Sequence, residues 1–101
     1  MTTHPTTGRD DTTRPPLFTD EEWRLIVASL MLSPRQAETV GLLMQSKTDK
    51  EIASSLGIAK RTVRTHLEES KFRLNAIDRV GLACRVFEGF RRLSDRQAPS
   101  A

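Results

Sequence analysis

The 101-residue chain has one cysteine, no tyrosine, one tryptophan and two histidines. A single thiol, Cys84, cannot form an internal disulfide, which fits a reducing compartment. His4 has no cysteine or second histidine near it in sequence, and His66 has no serine or cysteine nucleophile arranged around it. The acidic residues form no metal-ligand cluster, and no glycine-rich phosphate loop is present. The chain is therefore not read as an enzyme, and neither a metal nor a cofactor is expected. No apolar run approaches bilayer length, and the polar N terminus lacks the apolar segment of a signal peptide. Aromatic residues are 5% and hydrophobic residues 37% of the chain, so its core should be modest and aliphatic. These features predict one soluble intracellular domain, large enough to fold without disulfide or metal.

What is present is positive charge, unevenly placed. The formal net charge is +3, yet residues 1–49 carry five basic and seven acidic side chains, whereas residues 50–101 carry eleven basic and six acidic ones. The second half thus has the balance of a surface that displaces counterions from phosphates, or of a basic helix face that is simply solvated.

That half contains TDKEIASSLGIAKRTVRTHLEESKFRL, Thr48 to Leu74. Thr48 and Glu51 have capping-box spacing, and Ile52, Ala53 and Leu56 follow on one helical face. Gly57 stands where a left-handed residue must stop the helix. A second helix is predicted over Lys60–Leu74, with Val63, Leu67 and Leu74 at helical spacing and Lys60, Arg61 and Arg64 pointing elsewhere. Two helices joined by a tight glycine turn, the second one basic, form the layout that sets a helix into the DNA major groove.

The flanks read as further helices. Residues 1–17 lack periodic apolar positions and are predicted to be a disordered tail. An N-terminal helix over residues 18–31 is announced by the Thr19/Glu22 capping box and the Phe18/Trp23 staple. Trp23, Ile26, Val27 and Leu30 make its stripe, which either covers the core or docks a partner. Ser33-Pro34-Arg35-Gln36 starts another helix, expected to reach about Gln45, with Ala37, Val40, Leu43 and Met44 inward. Asn75 is a left-handed helix end, and Asp78 caps a last helix expected over Arg79–Leu93, before a disordered tail, 94–101. Its apolar surface, Leu82, Ala83, Val86, Phe87, Phe90 and Leu93, exceeds what so small a body needs. Leu82, Val86, Phe87 and Phe90 are read as a two-fold dimer contact.

Taken together, LSPRQAETVGLL, KTDKEIASSLGIAKRTVRTHL, KFRLNAIDR and the helix after them resemble the LuxR-type helix-turn-helix regulators of bacterial transcription. The likeness covers residues 32–90 and includes Pro34-Arg35, Glu38, Lys50-Glu51-Ile52-Ala53, Leu56-Gly57-Ile58, Arg61-Thr62-Val63, His66-Leu67, Leu74-Asn75-Ala76 and Arg79. The Leu74-Asn75-Ala76 segment is most similar to the quorum-sensing branch. The resemblance implies an all-α fold: a four-helix LuxR-type domain, here over residues 32–93, with one extra N-terminal helix. It also implies dimerisation through the last helix and binding of double-stranded DNA at an inverted-repeat promoter site.

Carried over residue by residue, the resemblance makes Lys60–Leu74 the recognition helix, with Arg64, Thr65 and Glu68 facing the bases. Arg64 suits guanine, Thr65 a thymine methyl or a phosphate, and Glu68 cytosine N4. Lys50, Lys60, Arg61, Thr62 and, more weakly, Lys71 become phosphate contacts. The sequence departs from the family pattern at Ala59, where a capping Ser or Thr is common, and at Ser46, where glycine is. It departs also at the adjacent Glu68 and Glu69, and at Phe72, which replaces a basic residue and is expected to turn toward the first helix or a partner. A cytoplasmic, nucleoid-associated homodimer is expected, with RNA polymerase as a further candidate partner. Two alternatives stay open, a sigma-factor-like promoter reader and a protein-interaction module. So does the choice between a stand-alone regulator and a fragment of a longer one.

Overall fold

A computed structural model describes residues 13–97, and within them every regular element is a helix. The order is α1 (Asp20–Leu30), α2 (Pro34–Leu43), α3 (Asp49–Leu56), α4 (Lys60–Leu74) and α5 (Arg79–Gln97). All three capping boxes expected from the sequence form. The Thr19, Ser33 and Thr48 side chains accept from the backbone amides of Glu22, Gln36 and Glu51, whose side chains accept in return from the cap amides. Each box satisfies two amides that the first turn would otherwise leave bare. The Glu51 carboxyl is held below its ordinary pKa, first by the backbone hydrogen bond at Thr48.

The four helix exits share one device. A residue of positive φ caps α1, α3 and α4: Met31 at 58°, Gly57 at 67° and Asn75 at 57°. Ser46, at 66°, does the same two residues beyond Met44, the cap of α2. The next amide then reaches back five residues, Leu32 to Val27, Lys47 to Leu42, Ile58 to Ala53 and Ala76 to Lys71, at 2.8–3.2 Å. These are Schellman closures. Only one of the four closing residues is glycine, and Met31 carried no sequence signal for the role.

The interior has two centres. The first joins Leu32, Ala37, Leu42, Ile52, Ala53, Val63, Leu67, Leu74 and Leu82, and fixes α4 against α2, α3 and α5. The second joins Phe18, Trp23, Ile26, Val40 and Val86, where α1 packs on α5. Phe18 stacks on Trp23 with ring centroids 6.1 Å apart, as the staple spacing predicts, and also meets Phe90 at 5.1 Å. Of the two readings of α1, the structure supports the one in which it covers the core.

Several expected boundaries move. α2 ends at Leu43 rather than Gln45, and α5 runs beyond Leu93 to Gln97. Residues 1–12 and 98–101 of the expected tails lie outside the described residues. Residues 13–17 do not behave as a tail. Thr13 and Pro15 are buried, the Arg14 carbonyl accepts from Gln45 Nε2 at 3.1 Å, and the Arg14 side chain pairs with Asp20. Gly41 makes room for this segment, since a Cβ there would lie 2.0 Å from the Thr13 carbonyl oxygen.

The dimer surface requires a correction. Leu82 and Val86 are 0% exposed and belong to the two interior centres, so neither can meet a second chain without opening the fold. Phe90 is half-buried against Phe18, and Phe87 alone of that set is exposed, at 44%. The extra apolar width of the last helix is consumed by α1, which lies on it.

Candidate nucleic-acid interface

The basic helix α4 is held from one side. Val63, Leu67, Ser70 and Leu74 are buried, and the Ser70 hydroxyl spends its proton on the His66 carbonyl at 2.8 Å. At about 100° per residue the opposite side carries Arg61, Arg64, Thr65, Glu68 and Phe72. All five are exposed. Burial on one face therefore dictates which side chains the helix offers outward.

The geometry qualifies each expected contact. Arg64 projects from the first half of α4, its Nε 3.7 Å from Asp49 Oδ2, so its two terminal nitrogens stay available for a bidentate contact. Thr65 is exposed and donates its hydroxyl to the Arg61 carbonyl at 3.2 Å. Glu68 is paired to Lys71 Nζ at 2.8 Å, so one expected base reader and one expected phosphate contact neutralise each other. Lys60 and Arg61 are exposed in the first turn of α4 and Lys50 near the start of α3, while Thr62 is half-buried. Ala59 makes no side-chain capping bond, in line with its departure from the pattern, so the first turn of α4 keeps bare amides. Those amides add partial positive charge where Lys60 and Arg61 already stand.

Asp49 is the residue sequence reasoning missed. Its carboxylate also takes Arg79 Nη2 at 2.6 Å, so one acid at the start of α3 ties the front of α4 to the front of α5. No signal separates it from an ordinary first-turn acid stabilised by the helix dipole. At the other end of α4, Arg85 donates to the Leu74 carbonyl at 3.0 Å and the Asn75 carbonyl at 3.2 Å. α4 is thus pinned at both ends by charge from outside itself. Of the two places expected for Phe72, the first helix is not the one it takes, since the side chain is 90% exposed.

Other parts of the surface offer less. His66 Nδ1 lies 3.6 Å from a Glu69 oxygen. Among the described residues no three or more His, Cys, Asp or Glu side chains are grouped as a metal site would need, and no helix is long and apolar enough to cross a membrane.

Comparison with known proteins agrees with this geometry. The family described as bacterial regulatory proteins, luxR family, matches residues 30–86. Over 52 residues the chain is 42% identical to the spore germination protein GerE of Bacillus subtilis (strain 168), covering 52% of this chain and 62% of that protein. It is 45% identical over 54 residues to the HTH-type quorum sensing-dependent transcriptional regulator VjbR of Brucella ovis, covering 54% of this chain and 20% of the relative. It is 37% identical over 51 residues to the transcriptional regulatory protein MctR of Rhizobium johnstonii, covering 50% of this chain and 24% of the relative. The matches span under two thirds of the length of each of these relatives. No solved structure matches the chain.

Proposed function

This chain belongs to the LuxR family of bacterial regulatory proteins, and from that premise we propose that it regulates transcription by binding double-stranded DNA sequence-specifically, with α4 in the major groove. The observation that carries the reading is the outward face of α4, where Arg61, Arg64, Thr65 and Glu68 line up opposite the buried Val63, Leu67 and Leu74. Arg64 reads guanine, Thr65 a thymine methyl, and Glu68 a cytosine N4 once Lys71 releases it. Lys50, Lys60, Arg61 and Thr62 fix the helix against phosphates, and Lys71 joins them when Glu68 turns to a base. The protein works in the cytoplasm at the nucleoid, with RNA polymerase as the machinery its bound state addresses. Its chemistry is recognition, and it is not an enzyme.

It binds as a homodimer on an inverted repeat. With Leu82 and Val86 committed to the interior, the contact moves to the outer side of α5, where Val80, Cys84 and Phe87 recur at helical spacing and are all exposed. A two-fold pairing there is isologous and sets two copies of α4 at the spacing of a palindromic site.

Selection of bound sites from random duplex DNA tests the whole reading. The expected outcome is a symmetric site whose affinity falls with salt, log K against log salt having a slope of about −0.9 per phosphate contacted. Recovery of no common sequence would overturn it.

A further inference from the structure

We propose that Phe72 is a specificity-determining residue of the recognition helix, its ring lying against the C5-methyl group of a thymine in the major groove. The inference rests on the proposed seating of α4 in DNA and extends its reading face by one turn.

Phe72 is 90% exposed, unlike Phe18 at 1% or Phe87 at 44%. On α4 it lies in the sector of Arg61, Thr65 and Glu68, four residues beyond Glu68, and opposite Val63, Leu67 and Leu74. A duplex that follows this face of α4 one turn beyond Glu68 meets the ring as well. The ring has no polar atom, so it cannot substitute for the basic residue usual in the family by holding a phosphate. In the major groove the apolar group on a base edge is the thymine methyl.

The surroundings favour this occupant over a protein. The shallow hollow beside the ring is lined by Gln36, Glu68, Glu69 and Arg73, all polar or charged. A protein-docking site calls for an apolar centre made by several residues, whereas one ring among charges suits contact with one methyl. Position follows too. Four residues of helix advance about 6 Å, and base pairs are spaced about 3.4 Å apart. The thymine should therefore lie one or two base pairs from the pair that Glu68 reads.

The test uses the full chain and the site recovered by selection. Each thymine of one half-site is replaced in turn by deoxyuridine, which removes only the methyl, and affinity is read by fluorescence anisotropy for the parent and for Phe72→Ala. One replacement, one or two base pairs from the pair sensitive to Glu68→Ala, should weaken the parent about fourfold, the equivalent of about 0.8 kcal/mol for one buried methyl. Phe72→Ala should bind the unmodified site at least that much more weakly and be indifferent to the same replacement. With the ring nine-tenths exposed, its removal leaves the packing intact. The inference is overturned if the parent tolerates every methyl removal, or if Phe72→Ala keeps the parent's sensitivity. It is overturned too if Phe72→Ala matches the parent in affinity, which leaves the ring for a protein contact. A parent that binds no DNA at all overturns the seating of α4 itself, and this inference with it.

Discussion

Ser46 is the residue whose cost is easiest to remove. A non-glycine residue at positive φ gives up roughly 1–2 kcal/mol to its own Cβ, and glycine returns about 0.5–1 kcal/mol of that through its freer unfolded chain. Ser46 is exposed, so no packing is lost. Ser46→Gly should therefore stabilise the fold by about 0.5–1 kcal/mol, read as a higher urea midpoint at unchanged slope. At the same scale Arg64 and Lys50 should separate by kind of loss. Arg64→Ala should relax discrimination at one base pair, with about 1–3 kcal/mol lost there, whereas Lys50→Ala should weaken all sequences alike and lower the salt slope by about 1. Equal losses on every sequence for both variants would remove Arg64 as a reader.

At the scale of elements, charge from α5 holds the end of α4. Arg85 satisfies two carbonyls that the last turn would leave bare, from a half-buried position. Arg85→Ala should cost about 1 kcal/mol, and amide exchange should quicken at the C-terminal end of α4 rather than at its start. On the outer side of the same helix, Val80 is 71% exposed, so a charge there costs the monomer little. Val80→Glu should keep the melting temperature measured in dilute protein yet shift sedimentation toward the monomer, and weaken binding to a two-half-site duplex far more than to a single half-site. An unchanged dimer would move the contact off this face.

The starts of α1, α2 and α3 were legible because each is written locally, in a hydroxyl and a carboxylate or amide three residues apart. Thr19/Glu22, Ser33/Gln36 and Thr48/Glu51 all form. Helix ends were half legible. Gly57 and Asn75 advertise a positive φ, but Met31 adopts one only because the chain must turn there to send Leu32 into the core. The inner and outer sides of α5 were not legible, since periodicity gives the width of an apolar stripe and not its partner. Leu82 and Val86 met the rest of their own chain, and the outward Val80 and Cys84 passed unnoticed beside the stronger stripe. Asp49 was invisible for a related reason, because its partners lie on two other helices.

At the scale of the whole molecule, two cores of different standing share one body. The first belongs to the helices within residues 30–86, the span that matches the luxR family. The second is assembled mainly from α1, which precedes that span, with Phe90 and Leu93 beyond it packed alongside. Phe18 is its pivot, touching Trp23, Phe87 and Phe90 at centroid distances of 6.1, 5.8 and 5.1 Å. Phe18→Ala should cost about 3–5 kcal/mol, a large share of the roughly 5–15 kcal/mol typical of a whole domain. Chemical denaturation should show the loss, while the fold of α3 and α4, which rest on the other core, should change least in amide exchange.

Trp23 is the chain's sole indole, and it sits 8% exposed in the seam between α1 and the helices it packs on, beside Gly41 of α2. The molecule therefore carries its own optical gauge of that seam. Emission on excitation of the indole tracks the N-terminal helix alone, while far-ultraviolet ellipticity tracks all five. Superimposable melts from the two signals mean that the added helix and the family module unfold as one body. A shift of emission to the red ahead of the loss of ellipticity means that the N-terminal helix can leave first, baring Val86 and Phe90.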